Sequence, residues 1–226
     1  MELALPPAAD LAELARQALA AWPAGVEGAL RLVCTRGSED VVDGPVTVFA
    51  TISAIGEPMR RARRDGISVV TASLGLAAGL RPEAPWLLGG AKTVSYAVNM
   101  ASQRWAGSVG ADDVLWVSGD GFVLEAPTST LAWLDGTTLC TVPAERTGIL
   151  AGTTARWLLS HAGGLGWGTD ERMVTPGELA GTDGAWLLSS VRGVAAVRAL
   201  DRSPLPNSGE ITGRIRELLG YPALPR

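Results

Sequence analysis

One lysine stands in the whole chain. It is Lys92, in the stretch "GGAKTVSYAVN" (Gly89–Asn99), and the other 18 basic residues of the 226 are arginine. Coding bias toward Ala, Gly and Arg is the ordinary explanation for few lysines. Yet arginine replaces lysine only where a charge suffices, not where an amine must shed its proton or form an imine. The lone lysine therefore points to amine chemistry. Three other places carry groups that such chemistry can use. Glu125 ends the apolar run "GFVLE" just before the bend "APTST", so its acid can face a pocket. "GTT" (Gly152–Thr154) opens a helical pattern, where free N–H groups and the hydroxyls of Thr153 and Thr154 favour an anion. Ser189 and Ser190 end the apolar strand "AWLL" beside Gly193 and offer further donors. Taken singly, these read as a turn residue, a helix cap and a strand terminus. Taken together they supply an amine, an acid and a phosphate seat, which is the requirement of pyridoxal phosphate.

Other chemistries find little support. The single His161 has no nucleophile elbow to serve and sits near a helix end, where it reads as a surface group. "GGLGWG" follows a helix instead of linking a strand to one, so it reads as a loop. No His/Cys group has metal spacing, so no metal is expected. Asp112 and Asp113 precede a strand and are expected to be solvated. Net charge is −4, and "MRRARR" (Met59–Arg64) reads as a solvated linker or helix face, so no nucleic acid is expected. Cys34 and Cys140 lie far apart with no paired spacing, which fits a reducing cytoplasm. The N-terminus lacks a basic region and an apolar core, and no apolar segment reaches spanning length, so neither a signal peptide nor a membrane is expected.

These residues need elements to hold them. "DLAELARQALAAW" has apolar residues at helical spacing, with Asp10 as the expected N-cap. "GALRLVCT" and "PVTVFATIS" read as two strands, and "ISVVTAS" as a third. "TVSYAVNMASQRWAG" reads as a helix with Val94, Val98, Met100, Ala101 and Trp105 on one face. The stretch from Asp112 to Pro143 reads as short strands with turns at Gly119–Gly121 and Asp135–Gly136. "GTTARWLLSHAGG" is a short helix, "GAWLLSSVRGVAAVRAL" a strand pair and "GEITGRIRELLG" a closing helix. Strands and helices mix without βαβ alternation, which predicts α+β. The expected division is 1–55 as a small lobe, 56–65 as a linker and 66–226 as the larger lobe.

The ordered set "AKTVSYAVN", "DGFVLEAPTSTLAW", "GILAGTTARW" and "LLSSVRGVAAV" resembles class IV pyridoxal-phosphate enzymes, which include branched-chain and D-amino-acid aminotransferases and 4-amino-4-deoxychorismate lyase. "WLLGGAKTVSYAVNMA" and "DGFVLEAPTST" look most like actinobacterial aminodeoxychorismate lyases. The resemblance implies fold type IV, a homodimer, and pyridoxal 5'-phosphate lodged between two lobes. It implies that Lys92 bonds the cofactor aldehyde and moves the substrate Cα proton. A free lysine titrates near ~10.4, so that role implies a value lowered by burial and cofactor. Glu125 would pair with the pyridine nitrogen, Thr153, Thr154 and Ser190 would hold the phosphate, and Tyr96 would bond the ring oxygen. Arg31 is a candidate for a substrate carboxylate, or simply a strand-surface arginine.

The lyase reading yields pyruvate and the folate precursor 4-aminobenzoate from a small-molecule amino substrate. The aminotransferase reading begins with the same proton abstraction, so Lys92 does not separate the two. Relatives carry further residues before the point matching "MELALP", among them a phosphate-gripping arginine, so a truncated small lobe is expected and a non-catalytic homologue is a third reading. Thr130 stands where an asparagine is often found, and "RGSEDVVDG" lacks the Arg-x-His of D-amino-acid aminotransferases.

Overall fold

A computed structural model describes residues 3–41 and 44–221. The chain divides into two compact units, Met1–Glu57 and Pro58–Arg226.

In the first unit, helix α1 (Ala8–Ala20) lies across a two-stranded antiparallel sheet of β1 (Gly28–Thr35) and β2 (Thr47–Ala54). The register runs from Gly28 opposite Ala54 to Thr35 opposite Thr47. The N-cap position belongs to Pro7, not to Asp10 as the sequence leads one to expect. Proline fixes φ near the helical value and needs no N–H bond there, so the helix begins earlier. Asp10 falls in the first turn, where its charge still meets the positive helix end.

Helix α2 (Glu57–Asp65), which occupies the stretch read as linker or helix face, starts at the last residue of the first unit, and β3 (Ile67–Ser73) follows in the second. A short helix α3 (Leu80–Glu83) and a 3-10 turn (Pro85–Leu87) lead to Lys92, and α4 (Ala97–Ser108) follows it. Then come β4 (Asp113–Val117), the hairpin β5 (Thr130–Asp135) and β6 (Thr138–Thr141), α5 (Ala144–Thr147), α6 (Thr153–His161) and β7 (Gly168–Glu171). The chain closes with α7 (Pro176–Ala180), β8 (Gly184–Ser189), β9 (Gly193–Leu200) and α8 (Gly209–Leu218). The sheet order is β4-β3-β9-β8-β5-β6-β7, with Ser203–Pro204 pairing β9. Parallel and antiparallel neighbours mix, as the α+β expectation requires.

The central strands are apolar on both faces, so both faces must be covered. Leu131, Trp133, Ala185, Leu187, Ala195 and Val197 join one core. Their alternates Ala132, Leu134, Trp186, Leu188, Val194 and Ala196 join the other, with Ala155 and Leu158 of α6 and Ile215 of α8 packed on them. Burying each leucine, isoleucine or valine among them contributes about 1.5–3 kcal/mol. Among the described residues, no helix is long and apolar enough to cross a membrane.

One expectation needs correction. Asp113 is not solvated but fully buried. Asp112 is exposed, as expected, and accepts from the Ser68 N–H and hydroxyl, both at 2.8 Å. Buried carboxylates require partners, and these came from distant segments. The apolar stripe of α4 faces away from the protein. Val98 and Trp105 are exposed, while Asn99, Ser102, Gln103 and Ala106 face the protein. The inward polar groups are bonded there: Asn99 Nδ2 donates to the Pro127 carbonyl at 2.5 Å and Gln103 Nε2 to Asp113 Oδ1 at 3.2 Å.

Candidate active site

Lys92 sits between a glycine turn and α4. The Gly90 N–H donates to the Gly148 carbonyl at 2.8 Å, which pins the start of the loop. Lys92 Nζ then donates to Tyr96 Oη at 2.6 Å and lies 5.1 Å from the ring centre. The side chain is exposed, where the sequence led to an expectation of burial. Its flanking residues explain this: Gly89, Gly90, Ala91 and Thr93 are too small to cover a long side chain.

Glu125 approaches from the next segment. "GFVLE" is extended but pairs with β4 only at bridging positions: the Leu124 N–H donates to Trp116 O at 2.8 Å and the Trp116 N–H to Glu125 O at 2.9 Å. Oε2 accepts the Leu150 N–H at 3.2 Å, and Oε1 lies 3.6 Å from Arg81 Nη1. Burial pushes the carboxyl up to about 7, against the lowering effects of the Leu150 bond and the positive charges of Arg81 and Lys92. Lys92 thus acts on Glu125 across one site.

Leu150 leads directly into α6. Its N-cap residue, Gly152, has no side chain to cap with, so the N–H groups of the first turn stay available. A Cβ on Gly152 would lie 2.2 Å from Thr130 Oγ1, so only glycine lets the Thr130 hydroxyl approach the helix end. Thr153 is exposed and Thr154 half-buried in that first turn. Thr130 pairs with Leu188 on β8, which brings the Ser189–Ser190 turn to the same end of the sheet. Ser190 is exposed, and Ser189 Oγ accepts the Arg192 N–H at 3.0 Å.

Lys92 is thus bonded to Tyr96, its charge acts on Glu125, and Leu150 links Glu125 to the α6 N-terminus. Arg31 is exposed on β1 of the first unit, opposite Thr51. His161 ends α6 and stacks on Trp157 at 3.8 Å, a surface arrangement. Both cysteines are free, and no cluster among the described residues could hold a metal ion. Sequence reasoning missed Arg81, Asn99 and the Leu150 N–H. The signal for Arg81 was the single positive charge in the apolar, proline-rich run before Lys92; a backbone donor such as Leu150 leaves none.

With this geometry in hand, the comparisons become informative. Residues 3–200 match the family described as amino-transferase class IV. The bifunctional aminodeoxychorismate lyase / D-amino acid transaminase of Mycobacterium tuberculosis (strain ATCC 25618 / H37Rv) is 39% identical over 188 residues, covering 80% of this chain. The chain spans 64% of that relative's length. A hypothetical aminotransferase from Mycobacterium tuberculosis, in its PLP-bound form, is 37% identical with a TM-score of 0.86, covering 96% of this chain and 76% of that one. A fold IV transaminase from Curtobacterium pusillum is 37% identical with a TM-score of 0.79, covering 87% and 64%.

Proposed function

The chain belongs to the amino-transferase class IV family, and from that premise we propose that it is a pyridoxal-phosphate enzyme whose reactive amine is Lys92. The observation that carries the reading is Glu125, bonded to the Leu150 N–H just before α6, raised to about 7 by burial and acted on by the charge of Lys92. Such a carboxyl gains most from a cationic partner, which a protonated pyridine nitrogen supplies. The uncapped first turn of α6 with Thr153 and Thr154, helped by Ser190, fits a phosphate. Tyr96, bonded to the Lys92 amine, stands where it can hold a ring oxygen. When bound, the cofactor supplies an electron sink for charge developing at the substrate Cα. Lys92 holds and moves the proton at that carbon, and Glu125 keeps the ring nitrogen charged. Arg31 is a candidate for the substrate carboxylate.

For the reaction we favour aminodeoxychorismate lyase, releasing pyruvate and 4-aminobenzoate for folate synthesis in the cytoplasm. The relative at 39% identity bears that name. It also bears the name of a D-amino acid transaminase, which keeps the aminotransferase as the second reading. We also propose a homodimer. Trp86, at 77% exposure, and Leu87, Leu88, Val94, Val98 and Trp105 are exposed apolar residues that a partner copy would cover.

Adding pyridoxal phosphate should give a visible absorbance band and, after borohydride reduction, a covalent adduct on Lys92. Lys92→Ala should lose both. Pyruvate release without an added keto acid supports the lyase, and a strict need for a keto-acid acceptor supports the aminotransferase. A chain that gains no band with excess cofactor is the non-catalytic homologue instead.

A further inference from the structure

Among the described residues, Glu125 has one hydrogen bond, from the Leu150 N–H to Oε2. Its Oε1 faces Arg81 at 3.6 Å, an ion-pair distance too long for a hydrogen bond. Both side chains are largely shielded, at 23% exposure for Arg81 and 18% for Glu125. Their attraction is therefore screened less than that of a surface pair.

The seat of Arg81 is built by two glycines from different loops. A Cβ on Gly148 would lie 2.6 Å from Arg81 Cβ, and one on Gly89 would lie 3.0 Å away. Gly148 also ends α5 in the left-handed region, at φ 63°, a conformation other residues adopt only at a cost. Gly89 leads to Lys92, and Gly148 leads to Leu150. The stem of Arg81 is thus gripped where the lysine loop and the loop supplying Glu125's N–H donor come together.

We propose that Arg81 is the positioning residue for Glu125: fixed between Gly89 and Gly148, it favours the charged carboxylate and holds it turned toward the site, while its distance leaves Oε1 open to a second cation. That second cation is the cofactor ring nitrogen, and in this respect the inference rests on the function proposed above. Arginine suits the task because its charge persists at every working pH and its planar fork cannot swing as an ammonium does. The Leu150 N–H bond pulls the proton affinity of Glu125 down, and so do two charged groups, Arg81 and Lys92. Lys92 is needed for chemistry, so Arg81 is the partner that can remain constant while the lysine changes state.

The test uses the full chain labelled with glutamate carboxyl ¹³C, without cofactor, titrated by NMR, with Glu125 assigned through Glu125→Gln. Removing the positive charge with Arg81→Gln should raise the Glu125 midpoint by about one unit, a tenfold change in its ionisation constant. Arg81→Lys should recover more than half of that shift. A midpoint that stays put in Arg81→Gln overturns the proposal, and so does a lysine variant indistinguishable from the glutamine one. A second measurement reads pyridoxal-phosphate affinity across pH. Arg81→Gln should weaken binding several-fold near pH 7, with the deficit shrinking as pH rises beyond the shifted midpoint; a deficit constant with pH would mark a merely structural role. Should no form of the chain bind the cofactor, the function proposed above fails, while the titration still decides the place of Arg81.

Discussion

Two shielded acids in the second unit make opposite use of arginine. Asp113, at the start of β4, is fully buried, and its Oδ2 lies 2.6 Å from Arg192 Nη2. The Glu125 side chain stays 18% exposed, and its arginine stops at 3.6 Å. Asp113 Oδ1 also takes bonds from Gln103 and from the Val114 N–H. Arg192 is anchored in turn, its N–H on Ser189 Oγ and its carbonyl accepting Arg63 Nε at 3.2 Å. The first pair is a closed clamp between β4 and the β8–β9 turn, on either side of β3. The second is left open. The difference teaches that a carboxylate and a guanidinium give rigidity when the gap closes and responsiveness when it does not.

The clamp should yield the largest effect. Arg192→Leu leaves the Asp113 charge buried alone and should cost about 3–5 kcal/mol of unfolding free energy, read from the denaturant midpoint. The clamp is not free of cost, because Arg192 Nε and Nη1 are buried without hydrogen-bond partners among the described residues. A loss under about 1 kcal/mol would mean those orphaned donors cancel the gain, and the contrast between the two acids would disappear.

Next comes the pH response of the open pair. Glu125 is raised from 4.5 to about 7, so in that window the folded chain holds a proton that the unfolded chain has released. The associated stability is fully present below 4.5 and is lost as pH rises through about 7. For the chain without cofactor the loss should be on the order of 3 kcal/mol, and Glu125→Gln should flatten that slope. A slope unchanged by the substitution would show that Glu125 is solvated well enough to ionise freely.

The contrast also marks what could be read from sequence. β1 and β3 were legible to the residue, since their β-branched runs end in glycine or polar residues. The β8–β9 pair and α6 were legible for the same local reasons. Lys92 and Glu125 were legible because their residue types are rare or oddly placed. Asp113 was misread as solvated, because solvation depends on Arg192, which arrives from a strand turn far along the chain. The orientation of α4 was not legible, because helical spacing reports a stripe and not which way it faces. Arg81 was missed because its partner depends on how the left-handed turn at Gly148 folds back. Local pattern fixes elements and names reactive groups; the groups that tune them come through tertiary contact.

The smallest effect probes how Glu125 is aimed. Asn99, on the inward face of α4, donates to the Pro127 carbonyl, two residues beyond Glu125. This bond ties the helix that follows Lys92 to the segment carrying the acid. Asn99→Ala should cost only about 1 kcal/mol, as one neutral hydrogen bond. Its more telling effect should be on the Glu125 midpoint, which should drift as the segment relaxes, while the Arg192 clamp, supported by separate contacts, stays intact. Thermal unfolding of Asn99→Ala combined with Arg192→Leu should therefore give additive losses. A non-additive result would mean that α4, which also touches Asp113 through Gln103, couples the two acids. The closed pair would then set the geometry of the open one.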